Sequence, residues 1–197
     1  MPVWMALVAS YVIGSVDFAV IVARARGVDI RAVGSGNPGT SNVLRTLGRG
    51  PAVMVLAGDM AKGLLAAAFG WIAAGGQPFD QPVAYLAGLL AVIGHIFPLF
   101  HRFKGGKGVA TAGGVLLFTV PVAALILAAA WVVVAKLFKV AAIASLVAVV
   151  GALPLAYLFG AGGWSPVWLA AMLVLIVWRH RPNIQRMLSG SESRVPT

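Results

Sequence analysis

The sequence predicts an all-α integral membrane protein, and three observations carry that prediction. Of its 197 residues, 60% are hydrophobic and only 10% are charged, against roughly 25% charged in soluble domains. The apolar residues gather in runs close to the about 20 residues that a spanning helix needs. The 15 Lys and Arg, set against 5 Asp and Glu, fall between those runs. A soluble globular chain is excluded, and so is a disordered basic tail, which requires low hydrophobicity. A net charge of +10 ordinarily raises nucleic acid as a partner. Here its placement between apolar runs makes membrane topology the better explanation, and no nucleic-acid partner is expected. The chain has no Cys, which removes disulfides, thiolate nucleophiles and thiolate metal sites.

The first apolar run, residues 3–23, is closed by Arg24 and Arg26. No Lys or Arg precedes it and it is too long for the core of a signal peptide, so it reads as a span. Runs 52–74 and 83–100 follow, joined by residues 75–82, which carry no basic residue. Residues 108–135 form a long uncharged stretch with Pro121 near its middle. Runs 141–159 and 166–178 come next, with a second base-free connection at 160–165. Arg24, Arg26, Arg31, Arg45 and Arg49 lie between the first two runs, and Lys62 lies early in the second. Arg102, Lys104 and Lys107 follow the third, Lys136 and Lys139 follow the long stretch, and Arg179, Arg181, Arg186 and Arg194 come last.

The positive-inside rule places the basic loops in the cytoplasm and the N-terminus outside. Lys104 and Lys136 then both belong inside, so the stretch between them crosses twice or turns back. Pro121 supplies the break. Each half, at about 1.5 Å per residue, would reach about 20 Å, as two short helices or a re-entrant hairpin. The expectation is seven segments, two of them short, with the N-terminus outside, the C-terminus cytoplasmic and Gly-rich cytoplasmic loops. Residues 1–188 read as one polytopic membrane domain. Residues 189–197, rich in Ser, read as a flexible cytoplasmic tail.

The basic loops hold the chemistry. The first contains Gly34, Ser35, Gly36, Asn37, Gly39 and Asn42, then Arg45. Closely spaced glycines let successive N–H groups turn toward one anion, and Ser and Asn add donors. Arg45 can add a bidentate contact to phosphate oxygens. A plain linker rarely combines Asn, Ser and Arg with Gly this densely. The stretch also fits G-x-G-x-x-G, with Asp59 near the spacing of a ribose acid. That motif needs a preceding strand in a βαβ unit, whereas membrane runs flank it here.

The second loop carries Lys104, Gly105, Gly106, Lys107 and Gly108 and leads straight into the next run. Two Lys among three Gly is a phosphate-binding composition, and the following helix N-terminus adds a favourable dipole. It is not a P-loop, because the preceding Gly is missing. For Arg102 a plain topological flank is the better reading. The third region holds Arg179, His180, Arg181, Pro182, Asn183 and Arg186. Alone it reads as a basic flank touching lipid headgroups. Beside the other two loops, His180 and Asn183 become candidates for the same pocket.

The acids Asp17, Asp29, Asp59, Asp80 and Glu192 form no local group. Metal-dependent phosphoryl chemistry uses grouped carboxylates, so neither a metal nor another cofactor is expected. Asp59 falls within an apolar run, where an ionisable group needs a partner. Lys62, one helical turn later, is the candidate. That pair reads as structural first, with a role in positioning Lys62 second.

Taken together, the three loops resemble the bacterial membrane glycerol 3-phosphate acyltransferases that use acyl phosphate, the PlsY family. The resemblance covers the whole chain. It rests on residues 34–42 with Arg45, on residues 94–111 with Lys104 and its Gly-rich turn, and on Arg179, His180, Asn183 and 190–192. Asp59, Lys62 and Gly63, and Ser145 after Lys139, also fit. Two departures are Thr40-Ser41, where a small residue then Thr is usual, and Asp17, where Pro is expected.

The resemblance implies that the hydroxyl of glycerol 3-phosphate attacks the carbonyl of a fatty acyl phosphate, the first step of phospholipid synthesis. Lysophosphatidic acid and phosphate leave. Its partners would be those two substrates and membrane lipid, at the cytoplasmic face of the inner membrane. An H-x-x-x-x-D dyad is absent, since none of His95, His101 or His180 has an acid five residues on. Ser35, Arg45, Lys104, His180 and Asn183 are the expected catalytic set. Gly34, Gly36, Asn37, Gly39, Asn42, Gly105, Gly106, Lys107, Gly108 and Ser145 are the expected phosphate-binding set, with backbone N–H groups of 34–39 and 105–108 cradling one phosphate. The base is either His180 or a substrate phosphate oxygen. The rival class is a transporter for an organic anion, which would also combine broken helices with a cation cluster.

Overall fold

The computed structural model describes residues 1–77 and 81–195, and these contain helices and turns but no strand. Asp80 and the last two residues of the expected tail lie outside the described residues. Ten α-helices run in chain order: α1 (Val3–Gly14), α2 (Phe18–Arg24), α3 (Thr40–Leu47), α4 (Arg49–Ala73), α5 (Gln81–Ile96), α6 (Val109–Thr119), α7 (Pro121–Phe138), α8 (Ala141–Leu158), α9 (Ser165–Arg179) and α10 (Arg181–Leu188). Five candidate spans are long and apolar enough to cross a membrane: Val3–Arg24, Arg49–Ala73, Gln81–His101, Pro121–Phe138 and Ala141–Leu158. Val109–Thr119 and Ser165–Arg179 are shorter apolar helices.

Two helix breaks shape the architecture. The first run is not one continuous helix. It is interrupted after Gly14, and Asp17 starts α2 by accepting the Val20 N–H on Oδ1 at 3.1 Å. A short acidic side chain at this point satisfies a donor that the helix start leaves free. The second break falls at Pro121, as the sequence predicts, but the halves are unequal. Helix α6 has 11 residues, whereas α7 has 18 and ends only at Phe138, with Lys139 left-handed behind it. Pro121 fits the first position of α7, where no N–H is needed. Nothing in the apolar, Ala- and Val-rich sequence after it stops the helix, so it runs on to full spanning length.

Helix α4 is the central post and packs against α1, α5 and α6. Glycine sets the closeness of its contact with α6. A Cβ on Gly63 would collide with the Thr111 carbonyl, and one on Gly114 would collide with the Met60 carbonyl. Small residues at such crossings let two backbones meet and gain dispersion contact that lipid cannot supply. The main apolar core lies among α4 to α9 and includes Tyr85, Val92, Val115, Leu169, Met172 and Ile176. A second cluster packs α2, α3 and α4 around Val20, Ile30, Val43 and Val55.

Gly63→Ala and Gly114→Ala should each lower the apparent Tm in detergent by several degrees, because a backbone carbonyl cannot retreat from the new methyl. Overpacking of this kind typically costs about 1–3 kcal/mol. Gly113→Ala, which meets nothing within 4 Å, should leave the Tm unchanged or raise it. Equal melting of all three would refute glycine-set packing.

Candidate functional site

The first loop is shaped by one buried amide. Asn42, at the start of α3 and 1% exposed, donates from Nδ2 to the Ile30 carbonyl at 3.1 Å and the Val33 carbonyl at 3.0 Å. Its Oδ1 accepts the Ser35 N–H at 2.9 Å. Gly34 and Gly36 turn with φ of 59° and 68°, a region that favours glycine. Both Asn42 donors are therefore engaged inside the loop. The sequence places Asn42 among the phosphate ligands, whereas it is the loop's internal scaffold. The turn brings Ser35 and Arg45 together, with Nη2 donating to Oγ at 3.5 Å.

The second loop is held differently. The N–H groups of Phe103 and Lys104 donate back to Pro98 and His101, at 3.0 and 3.1 Å. Those of Gly105 and Gly106 donate to Ile96 and His95, at 3.0 and 3.1 Å. The outward carbonyls are taken by guanidinium groups. Arg31 Nη2 reaches Lys104 O at 2.7 Å, Arg179 Nη2 reaches Gly105 O at 2.9 Å, and Arg179 Nε reaches Gly106 O at 3.1 Å.

This corrects the expectation that N–H groups of Gly105 and Gly106 cradle a phosphate, since both are already bonded. Their role is space. A Cβ on Gly105 would strike the His95 carbonyl and one on Gly106 would strike the His95 ring. The groups of this loop that face the cavity are instead the Lys104 and Lys107 side chains and the start of α6 after Gly108, where Val109 and Ala110 border it.

Beneath this loop, Lys62 Nζ lies 2.8 Å from Asp59 Oδ1, as the spacing predicts, and donates to Val16 O at 2.9 Å. His95 Nδ1 lies 3.5 Å from the same carboxylate oxygen. The group ties α4 to the α1–α2 break and to the segment that carries Gly106.

The third region closes the site. His180, 1% exposed, places Nδ1 2.8 Å from Ile176 O. A carbonyl only accepts, so Nδ1 carries the proton and Nε2 keeps a lone pair. Burial pushes the imidazole down to about 4, and the nearby cations Lys107 and Arg179 add to the effect. Asn183 Nδ2 donates to Glu192 Oε1 at 2.7 Å, leaving its buried Oδ1 as an acceptor with no partner among the described residues. An acceptor suits a hydroxyl rather than a phosphate. Arg186 Nε binds the other Glu192 oxygen at 2.7 Å. The segment expected as a free tail thus returns over the site through Glu192, and Val195 N–H bonds Lys139 O at 2.8 Å.

All three regions border one cavity of about 1010 Å³. Of the expected site residues, Ser35, Gly36, Asn37, Gly39, Asn42, Arg45, Lys104, Gly105, Lys107, Gly108, Ser145, His180 and Asn183 line it. Gly34 and Gly106 stand behind as turn residues. Arg31, Arg179, Arg186 and Trp131 join the lining without having been expected there. Arg31 and Arg179 look like topological cations in sequence. Trp131 offered a signal, because a lone indole N–H in an aliphatic span needs an acceptor. It donates to Ser145 Oγ at 3.1 Å.

Burial pushes the Lys107 ammonium down to about 8, with Glu192 opposing the shift and Arg186, Arg45 and Arg179 reinforcing it. Away from the cations the cavity becomes apolar, lined by Leu116, Leu125, Leu127, Val149 and Ala152 from α6, α7 and α8.

A site with a cationic mouth and an apolar depth agrees with what the chain is similar to. Residues 4–190 match the family model described as glycerol-3-phosphate acyltransferase. A protein of that name from Burkholderia cenocepacia is 46% identical over 99% of this chain and 92% of its own length. One from Burkholderia vietnamiensis is 47% identical over the same shares. Among solved structures, PlsY, an integral membrane glycerol 3-phosphate acyltransferase, in its glycerol 3-phosphate form is 36% identical with a TM-score of 0.92, covering 99% of this chain and 96% of its own. Its lysophosphatidic acid form gives 35% and 0.89, covering 98% and 94%. Sequence and fold thus agree along the whole chain, which belongs to the glycerol-3-phosphate acyltransferase family.

Proposed function

We propose that this protein transfers a fatty acyl group from an acyl phosphate to a hydroxyl of glycerol 3-phosphate, releasing lysophosphatidic acid and phosphate. The observation that carries this is one continuous cavity joining a cation-rich mouth to an apolar lobe. Two phosphates and an acyl chain need that combination of walls. Arg45, Lys104 and Lys107 supply charge to the phosphates, with Ser35 and Ser145 as neutral donors. Trp131 occupies a lone pair of the Ser145 oxygen, which leaves that hydroxyl hydrogen free to turn toward an anion.

The substrate hydroxyl forms the new C–O bond as the carbonyl carbon releases phosphate. Asn183 Oδ1 and His180 Nε2 are the acceptors available to orient that hydroxyl. With His180 held at about 4, a phosphate oxygen, with a second pKa of about 6, is the better proton acceptor. Holding nucleophile and carbonyl in contact can supply about 7–11 kcal/mol of the barrier. Charge growing on the departing phosphate meets cations already in place.

In this reading the chain is an inner-membrane protein with seven segments, the five candidate spans plus α6 and α9. Its N-terminus is outside, and the site and C-terminus are cytoplasmic. The excess of Lys and Arg in the loops around the cavity supports that orientation. A cysteine introduced beside Lys136 should label only with membrane-permeant maleimide in intact cells. Labelling by an impermeant reagent would refute this topology.

The decisive assay needs no second compartment. Purified protein in detergent, given acyl phosphate and glycerol 3-phosphate, should form lysophosphatidic acid and phosphate in equal amounts. Binding without any product would point to a transporter.

The pH dependence has a definite sign. A lysine pushed down to about 8 is charged below that value and loses its charge as pH rises through it. Above pH 8, kcat/KM for glycerol 3-phosphate should therefore fall. Lys107→Arg, which stays charged, should flatten the fall. A profile identical in both proteins would remove Lys107 from the binding site.

A further inference from the structure

We propose that Arg31, braced by Asp17, is a positioning residue that fixes Lys104 against the first glycine loop. The proposal rests on reading Lys104 as a phosphate ligand.

The turn that delivers Lys104 is built against preference. Arg102 and Phe103, neither of them glycine, lie in the left-handed region with φ of 53° and 58°. Two consecutive residues of this kind persist only where the surroundings over-determine them. Within the loop, hydrogen bonds anchor the N–H side of the turn. The carbonyl of Lys104 is held from another element, by Arg31 Nη2 at 2.7 Å.

Arg31 is not a loose surface cation. The same Nη2 lies 3.0 Å from Asp17 Oδ2, and the Asp17 side chain is 7% exposed. Asp17 is in turn locked, because its other oxygen caps α2 at Val20. A helix cap, a carboxylate, a guanidinium and the Lys104 carbonyl therefore form one chain of contacts.

Arg31 also belongs to the segment that leads into the first loop, where a Cβ on Gly36 would approach the Arg31 carbonyl at 3.1 Å. One side chain thus sets the distance between the two glycine-rich loops that face the cavity. An arginine suits this task better than lysine, since its rigid fork can hold two oxygens in fixed directions.

The test is a double-mutant cycle read in kcat and KM for glycerol 3-phosphate, with thermal unfolding to verify folding. Lys104→Ala should lower kcat/KM by more than about tenfold, the loss of one charge-assisted contact. Arg31→Ala should raise KM by about tenfold with a smaller change in kcat. The double variant should be no worse than Lys104→Ala, because Arg31 acts through it.

Asp17→Asn keeps a competent helix cap and removes only the charge. It should show the same KM rise in weaker form, and it serves as the test if Arg31→Ala does not fold. Where turnover is too slow, glycerol 3-phosphate affinity by isothermal titration replaces KM. Wild-type KM in Arg31→Ala or Asp17→Asn, beside an impaired Lys104→Ala, would overturn the positioning role alone. So would a double variant worse by the product of the singles, which is what a direct substrate contact by Arg31 gives. Wild-type kinetics in Lys104→Ala would overturn the phosphate-site reading and this proposal with it.

Discussion

Backbone that leaves helical geometry beside an apolar core must find partners for its carbonyls, and the rest of this structure depends on how that is done. Cationic side chains do part of it, beside backbone N–H groups and the Asn42 amide. Lys62 holds Val16 O at the α1–α2 break. Arg26 holds Val22 O near the end of α2. Arg31 and Arg179 hold the carbonyls of Lys104, Gly105 and Gly106. A carbonyl accepts these bonds without neutralising the cation. The loops are thereby made rigid. Arg31 and Lys62 are each also paired with a carboxylate, Asp17 and Asp59, whereas Arg179 holds its two carbonyls with no ion pair among the described residues. Part of the net charge of +10 thus serves to hold backbone carbonyls.

The cavity joins two solvents in one space. Its mouth is lined by loop cations and by the starts of α3 and α6, and its depth is lined by aliphatic side chains of α6, α7 and α8. The break at Pro121 creates this shape. Helix α6, at 11 residues, is short, and its N-terminus is held at loop level by Gly108. Helix α7 then extends past it as an outer wall. The Trp131 to Ser145 bond sits on that wall, pinning a polar group among apolar neighbours. Close α4–α6 packing through Gly63 and Gly114 keeps the opposite wall rigid.

Much of this is legible in the sequence, and the exceptions have physical causes. Apolar runs reveal most of the helices through length and hydropathy, although the run at 3–23 breaks after Gly14. Composition picks out the loops that border the cavity, because Gly, Ser, Asn and Lys gather there. What composition cannot reveal is which end of a polar group is free. Asn42 and Asn183 both look like donors, yet Asn42 has both N–H groups engaged by the protein and Asn183 gives one to Glu192, with its Oδ1 left without a partner among the described residues. The glycines at 105 and 106 look like an N–H cradle, yet they are small because His95 lies behind them. Arg31 and Arg179 look topological, because a sequence does not show which carbonyls a fold leaves outward. The unequal halves around Pro121 escape the sequence because parity demands a break but does not fix where the second helix ends.

The protonation state of His180 and the leaving of phosphate have a common cause in the proposed reaction. Burial, reinforced by Lys107 and Arg179, keeps the imidazole neutral down to about pH 4. The same cations stabilise negative charge that gathers on a departing phosphate. A site cannot favour both an imidazolium and a phosphate dianion in one small volume by charge alone. In the proposed reading this one favours the anion. A proton leaving the substrate hydroxyl therefore ends most favourably on phosphate, where it reduces an anion's charge and does not add a cation to a cationic wall. His180 is left to direct a lone pair, its ring held by the bond from Nδ1 to Ile176 O. Catalysis then rests on placement and preorganised charge, which an already activated acyl donor makes sufficient.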